Sequence, residues 1–316
     1  MSNGLLKLAS PRLSRVFGSG RAVILKYHRV LASPDVMRPG EVTAAEFDAQ
    51  MRIVAASFRS VTFGGWIAER RSSRNGDNAV IVTFDDGYKD NHDVALPILR
   101  EHGVAATFFV ASGYLDGGMM WNDRLIETLR KAVGSVVDLG AAGLGRVELR
   151  TLEDASRAAA QVLAAIKRWP QEKRAAFVDE LAGSSGRQPD RVMMDAAEVR
   201  ALAAAGLEVG AHTVTHPILS KLSPEQAWAE ISRSKEALER ILGRDVLTFA
   251  YPNGRPEKDF TDADVERVRK AGFVGAVTTR WGCARPADDD FLVPRQGIWG
   301  TNAAKLWLQL LRNFRA

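Results

Sequence analysis

Short, uninterrupted apolar segments alternate with helical patterns along this chain, and this alternation constrains the fold more than any other feature. Seven segments have the length and the β-branched or aromatic content of buried strands. They are residues 22–27, 79–84, 106–110, 207–210, 248–250, 275–277 and 291–293. Strands that are apolar on both faces are typical of parallel sheets covered by helices. The sequence therefore predicts an α/β fold, a distorted (β/α) barrel of about seven parallel strands.

Two capping boxes mark where helices begin. Thr43-Ala-Ala-Glu46 and Ser223-Pro-Glu-Gln226 each place an acceptor side chain three residues before a Glu or Gln. They predict helices over 44–57 and from 224 to about 242. Further helical patterns are found near 92–102, 195–205, 261–271 and 302–313.

Residues 117–195 interrupt the alternation of strands and helices. This stretch is rich in Gly and Ala, with two helical patterns over 123–132 and 153–183 and no clear strand. We interpret it as a helical insertion on a barrel domain that spans 21–316. Residues 1–20 are predicted to form a basic N-terminal tail.

The composition limits how a metal could be bound. Cys283 is the single cysteine of the chain, so an internal disulfide and a cysteine-ligated zinc cluster are both excluded. Any metal ligands must come from Asp, Glu or the five histidines. No run approaches the ~18 consecutive apolar residues of a transmembrane helix.

The charge distribution bears on partners and location. Lys and Arg total 43 against 38 Asp and Glu, yet residues 1–34 hold six basic residues and no acidic one. After Asp290 there are again only basic charges, so the middle of the chain is net negative. This distribution argues against nucleic-acid binding and is compatible with peripheral membrane contact through the basic ends. The N-terminus lacks the apolar core of a secretory signal, so we expect a cytoplasmic, membrane-peripheral protein.

An aspartate doublet follows the second predicted strand. Thr83-Phe84-Asp85-Asp86-Gly87 lies at the carboxyl end of that strand, where active sites of parallel α/β folds collect. Adjacent carboxylates at a strand end point in different directions, so one can bind a metal while the other handles protons. An ordinary Asp-Gly turn is the structural alternative.

A histidine pair follows the fourth predicted strand. His212 and His216 lie four residues apart in Gly-Ala-His-Thr-Val-Thr-His-Pro, at ligand spacing. The zincin pattern does not apply, because no Glu follows His212 and Pro217 disfavours a helix. One carboxylate and two imidazoles suit Zn²⁺, with Co²⁺, Mn²⁺ or Ni²⁺ as alternatives.

The order TFDDG, ATFFV and HTVTHP resembles the polysaccharide deacetylases, the NodB-homology or carbohydrate esterase family 4 enzymes. The resemblance covers roughly residues 20–300 outside the insertion. It implies a distorted barrel and metal-dependent hydrolysis of N- or O-acetyl groups on a sugar polymer. It also implies that Asp85 is the general base, and that Asp86, His212 and His216 bind the metal.

Two family positions are changed in this chain. Ala250 replaces the Arg of the usual R-x-P-Y motif, and no His follows His216 to supply the usual L-x-H acid. The segment Tyr27-His28-Arg29-Val30 resembles a branch with an N-terminal Y-H-x-V, and this resemblance implies that the acid comes from the start of the chain. We therefore predict His28 as general acid. Arg295, after the last strand, is predicted to replace the missing Arg, with Arg29 in reserve.

Four residues are predicted to bind the substrate. Tyr251, Pro252 and Asn253 follow the fifth predicted strand and would flank the oxyanion and sugar site, unless Pro-Asn-Gly only forms a turn. Trp121 opens the insertion and could stack on a pyranose ring or anchor the insertion.

The leading functional hypothesis is a metal-dependent hydrolase that removes acetyl groups from a polysaccharide or its lipid-linked precursor. One alternative is an amide hydrolase or deformylase that acts on a lipid-linked sugar. Another is a catalytically silent carbohydrate-binding protein, suggested by the two changed family positions.

Overall fold

A parallel sheet organises the chain, as the alternation predicted. The computed structural model describes residues 20–72, 78–183, 191–298, 300 and 302–315, so the predicted tail over 1–20 falls almost wholly outside the described residues. The strands of the main sheet are β1 (Ala22–Tyr27), β4 (Arg59–Ser60), β5 (Ala79–Phe84), β6 (Ala106–Val110), β9 (Glu208–Ala211), β10 (Thr248–Ala250), β11 (Gly275–Val277) and β12 (Gln296–Gly297). Seven of them follow one another in the order β11-β10-β9-β6-β5-β1-β12, and β4 pairs beside β5. Every strand pair of this sheet is parallel, which confirms the predicted α/β barrel-like fold.

The two faces of the sheet carry different side chains because residues alternate along each strand. Ala22 and Ile24 of β1 belong to an inner core with Ala79 and Ile81 of β5, whereas Val23 and Leu25 pack outward under the helices. The residues that continue the inner face toward the carboxyl ends are therefore fixed by parity. They are residue 26 on β1 and residue 28 after it, and residue 83 on β5 and residue 85 after it.

The ends of the sheet approach each other through residues 293–297. Val293 forms a single parallel bridge with Val277 of β11, and Gln296 pairs with Leu25 of β1 two residues beyond Pro294. The predicted strand at 291–293 is wrong in its position, because only Val293 of that segment pairs and the regular pairing begins at Gln296. As a result, Arg295 lies between the bridge of Val293 to β11 and the pairing of Gln296 with β1.

Ten α-helices connect or follow the strands among the described residues. They are α1 (Ala44–Ser57), α2 (Phe63–Arg71), α3 (Leu96–His102), α4 (Trp121–Lys131), α5 (Leu152–Ile166), α6 (Gln171–Gly183), α7 (Ala196–Ala204), α8 (Pro224–Leu242), α9 (Asp262–Lys270) and α10 (Ala303–Arg315). The capping boxes predicted at Thr43 and Ser223 are present, and Gly243 ends α8 in the left-handed conformation at φ +65°. No helix of the described part is both long and apolar enough to cross a membrane.

The described chain divides into two compact units. The first holds the sheet and comprises, among the described residues, 20–32, 42–72, 78–116, 193–298, 300 and 302–315; the second comprises 33–41, 117–183 and 191–192. Inside the second unit, Leu125, Leu129 and Val162 belong to a separate apolar core. The sequence missed an antiparallel hairpin there, β7 (Ser135–Asp138) with β8 (Arg146–Leu149). The helix predicted over 153–183 is two helices, with Pro170 in the gap between them.

Two short strands complete the first unit. Strand β2 (Val30–Leu31) pairs in parallel with β3 (Val42–Thr43), directly after the segment that contains His28.

Candidate active site

Asp85 and Asp86 follow β5 and diverge. The Asp85 amide donates to the Tyr27 carbonyl at 3.0 Å, which holds it against the end of β1. Asp86 and Gly87 then adopt left-handed backbone, at φ +77° and +89°. That conformation costs a non-glycine residue roughly 1–2 kcal/mol, and here it turns the two neighbouring carboxylates toward different partners.

Asp85 is paired with Arg295 on the inner face. Two parallel hydrogen bonds of 2.6 Å join Nη1 and Nη2 of Arg295 to the two carboxylate oxygens. The guanidinium also donates to the Thr278 carbonyl at 3.1 Å and to Oγ1 of Thr83 at 3.3 Å. Only 1% of Arg295 and 3% of Asp85 is exposed. Burial alone would raise the pKa of Asp85, but the Arg295 charge, its hydrogen bonds and the neighbouring His212 and His28 together outweigh burial and hold that pKa well below its usual range.

Asp86, His212 and His216 form a group with metal-ligand spacing. Oδ1 of Asp86 lies 3.5 Å from Nε2 of His212 and 3.6 Å from Nε2 of His216. Two atoms bound to one tetrahedral ion at ~2.1 Å each lie about 3.4 Å apart. Both distances from Asp86 therefore match the spacing of ligands to one divalent ion, and all three ligand atoms lie within 4.8 Å of one another. Two other acid-histidine triples exist in the described chain, around His92 and His102, but both include an exposed residue.

The hydrogen bond of His212 determines which ring nitrogen faces this group. Nδ1 of His212 lies 2.7 Å from the Ala250 carbonyl. Because a carbonyl can only accept, Nδ1 must carry the proton and Nε2 presents its lone pair toward Asp86. Burial lowers the pKa of His212, although Asp85 opposes this shift. The ring is held in the neutral form that a metal binds.

Glu230 of α8 shapes the loop that carries His216. Its Oε2 accepts from the amides of Val214 and Thr215 at 2.8 Å each, and its Oε1 accepts from the Thr215 hydroxyl at 2.7 Å. Thr213 and His216 both have positive φ, +65° and +55°. The carboxylate thus stabilises a strained turn, and the amide of His216 adds a bond to Oγ1 of Thr213.

His28 lies in the same electrostatic environment. It follows β1 on the inner-face parity and is half-buried. Burial lowers its pKa to about 4, with the Lys26 charge adding to the effect and Asp85 opposing it. The charges of Arg295 and His212 also act on it, so His28 lies within electrostatic range of Asp85 and Arg295.

Tyr251 is not brought to this group. Its ring stacks on Phe260 with centroids 3.8 Å apart and packs edge-on against Phe249 in the outer core. Asn253 and Pro252 lie beyond the end of β10, with Asn253 left-handed at φ +57° and its carbonyl accepting from the Thr279 hydroxyl at 2.7 Å. Pro252 and Asn253 therefore form a turn at the carboxyl edge of the sheet, whereas the Tyr251 ring lies in the outer core.

Trp121 begins α4 in the second unit. The Arg174 guanidinium of that unit covers the Trp121 ring at 4.3 Å from its centroid. The Trp121 ring therefore packs against Arg174 within the second unit.

Two residues that act on the site were not predicted from the sequence. Lys26, whose charge lowers the pKa of His28, has the inner-face parity that also selects His28, so strand alternation could have indicated it. Glu230 gave no signal, because its role consists of accepting backbone hydrogen bonds from a distant loop.

A family model described as polysaccharide deacetylase matches residues 72–275, more than half of the chain. The chain belongs to the polysaccharide deacetylase family. The resemblance drawn from TFDDG and HTVTHP is thereby confirmed. Members of this family are hydrolases of N-acetyl amide bonds and are generally metal-dependent.

Relatives of this deacetylase-family chain agree with the assignment. The protein YxkH of Bacillus subtilis strain 168 is 20% identical over 263 residues, which cover 83% of this chain but only 65% of that relative. The Streptococcus pyogenes deacetylase PplD in complex with acetate has a TM-score of 0.62 at 18% identity and covers 95% of this chain and 100% of its own. IcaB from Ammonifex degensii has a TM-score of 0.60 at 21% identity, with 95% and 98% covered. At these identities the two structures show a shared fold.

Proposed function

We propose that this chain is a metal-dependent deacetylase that hydrolyses N-acetyl groups on a sugar polymer or its precursor. The observation that carries the proposal is the inner-face arrangement of three ligand atoms at coordination spacing beside a buried carboxylate–guanidinium pair. Membership of the deacetylase family supplies the reaction class.

Asp86, His212 and His216 are the proposed metal ligands. Two neutral imidazoles and one carboxylate suit Zn²⁺ best, with Co²⁺, Mn²⁺ and Ni²⁺ as alternatives. When bound, the ion would polarise the amide carbonyl and acidify a water molecule.

Asp85 and His28 are the proposed proton carriers. Water adds to the acetyl carbon, the C–N bond breaks, and the products are acetate and a free amine. Asp85 is ionised at every working pH and accepts the proton that the attacking water loses. The leaving nitrogen must receive a proton, because an amide anion is too basic to leave unaided. With its pKa lowered to about 4, resting His28 is neutral, so the proton that it delivers to the leaving nitrogen is the one that Asp85 has taken from the attacking water.

Arg295 is the proposed partner that keeps Asp85 oriented and charged. Its two bonds to the carboxylate leave further lone pairs free to accept from water. The turn at Pro252 and Asn253 is proposed to contact the sugar, and Trp121 retains its proposed stacking role.

Acetate release from acetylated chito-oligosaccharides tests the proposal. We expect activity with added Zn²⁺, loss on chelation, and inactive but folded Asp85→Asn and His212→Ala variants. His92→Ala, a histidine half-exposed on the helix side of the domain, is the matched control and should stay active. Full activity of either site variant would refute the assignment.

The second candidate function is hydrolysis of a lipid-linked sugar. The enzyme would then be a deformylase or another amide hydrolase. Helix α10 contains no acidic residue and exposes 57% of Leu308. It carries exposed Lys305 and Arg312 two turns apart on the same helix. Arg21 donates to the Phe314 carbonyl at 3.2 Å, which adds a further basic side chain beside this helix. Such a surface would suit an anionic membrane.

Co-sedimentation with vesicles tests the membrane contact. We expect binding to anionic vesicles, weaker binding to neutral ones, and a loss in the Lys305→Glu/Arg312→Glu variant. Sedimentation of that variant equal to that of the wild type would contradict the membrane contact.

A silent carbohydrate-binding protein would instead bind metal and sugar stoichiometrically without releasing product from any acetylated or formylated substrate.

A further inference from the structure

Two adjacent residues hold the segment that contains His28. Nδ2 of Asn91 donates to the His28 carbonyl at 2.8 Å. The carboxylate of Asp90 accepts from Nε of Arg29 at 2.7 Å and from the Val30 amide at 3.2 Å. Three consecutive residues of the 28–30 segment are thus bonded to one dipeptide.

The dipeptide belongs to the same chain segment as the proposed base. Only four residues separate Asp86 from Asn91, and the Tyr88 ring between them lies under the Arg29 guanidinium at 4.6 Å. Asn91 is fully buried and begins a wide π-helical turn, Asn91–Ala95, ahead of α3. Such turns are rare and are frequent at functional sites.

We infer that Asp90 and Asn91 are positioning residues that set the location of His28 relative to the leaving nitrogen. The inference rests on the proposed function, in which Asp85 accepts a proton from water and His28 delivers one to the amine. The proposed base Asp85, the proposed metal ligand Asp86 and the two positioning residues all lie on the continuous segment 85–91. Because the bonds from Asp90 and Asn91 tie the His28 segment to this one, their loss changes the distance from His28 to Asp85 directly. Catalytic groups must be held within about 0.5 Å of the productive geometry.

The test compares two substrates that differ in their need for a proton. An acetylated amino sugar needs the leaving group protonated, whereas an aryl acetate releases a stable phenolate without it. A general acid contributes about 10²–10⁴-fold, so we expect His28→Gln to lose about that factor on the amide and little on the ester. Asn91→Leu, which keeps the volume but no donor, should lose at least about tenfold in kcat on the amide only.

A double variant and a structure complete the test. In the His28→Gln background, Asn91→Leu should have no further effect on the amide. Asp93→Asn, an exposed carboxylate two residues along the same turn, is the control and should leave both activities unchanged. A crystal structure of Asn91→Leu should show the His28 ring moved away from Asp85.

Three results would overturn the positioning role. They are equal losses on both substrates, a further loss in the His28→Gln background, and an unmoved His28 ring in the variant structure. Absence of any product from the wild-type protein would instead refute the proposed hydrolase function, while the variant structure would still decide the positioning role.

Discussion

Replacing Arg295 by Met should destabilise the protein by an amount that the structure sets. The substitution removes both 2.6 Å bonds and leaves the Asp85 carboxylate buried without its cation. Removing one partner of a buried ion pair costs about 3–5 kcal/mol. Asp85→Asn should cost a similar amount, because it leaves the guanidinium buried. The double variant removes both charges, so its cost should fall far below the sum of the two.

Urea unfolding followed by circular dichroism measures these free energies. All proteins should be metal-free, so that altered metal affinity does not contribute. Arg280→Met, an exposed arginine near the same connection, is the control and should change the free energy of unfolding by less than about 0.5 kcal/mol. Costs that add to within about 0.5 kcal/mol in the double variant would show that the two residues do not interact, and would refute the pairing argument.

The pH dependence gives an independent check with a definite sign. In the wild type, the folded-state pKa of Asp85 lies below its unfolded value, so the pair stabilises at neutral pH and loses this contribution only in strong acid. In Arg295→Met, burial acts without opposition from that cation and raises the pKa of Asp85. The deficit of the variant should therefore shrink as the pH falls from 7 toward 4. A deficit independent of pH would refute this account.

Three further predictions concern the surrounding residues. Glu230→Gln should weaken metal binding about 10–100-fold in a chelator competition, because Gln offers one acceptor oxygen where the loop of His216 uses two, whereas Glu236→Gln on the exposed side of α8 should not. Wild-type stability should fall as the pH drops from 6.5 to about 4, since the unfolded state binds a proton that buried His28 refuses, and His28→Gln should lack this part of the fall in urea titrations. Gly113→Ala should lower the melting temperature, because its Cβ would lie 2.7 Å from the Val214 carbonyl oxygen; an unchanged melting temperature would show that the loop yields freely.

The strands could be predicted where an apolar segment of the sequence coincides with a strand that is hydrogen-bonded to its neighbours in the sheet. The limits of β1, β5, β6, β10 and β11 agree with the sequence because each is apolar on both faces. Strand β12 was missed since Gln296 and Gly297 pair without an apolar run. The β7–β8 hairpin was missed because its side chains are largely exposed and alternate with charged residues.

The site was predictable to the extent that its residues follow strands. Asp85, Asp86, His212 and His216 lie in motifs at strand ends, and Arg295 was placed by the same reasoning. Tyr251 was expected near the substrate, yet alternation along β10 assigns Ala250 to the inner face and Phe249 and Tyr251 to the outer face. Asn91 and Glu230 act on backbone groups of other segments, so no pattern in one sequence could reveal them.

The connection that carries Arg295 also sets an order of events during biosynthesis. Asp85 precedes its cation by 210 residues. At about 5–20 residues per second, the ribosome needs roughly 10–40 s to make that interval. During this interval, the sheet lacks both β12, which joins its ends, and the Arg295 charge that neutralises Asp85 on its inner face. The site can therefore form only after synthesis has passed residue 297, and a nascent chain remains unable to process substrate until then.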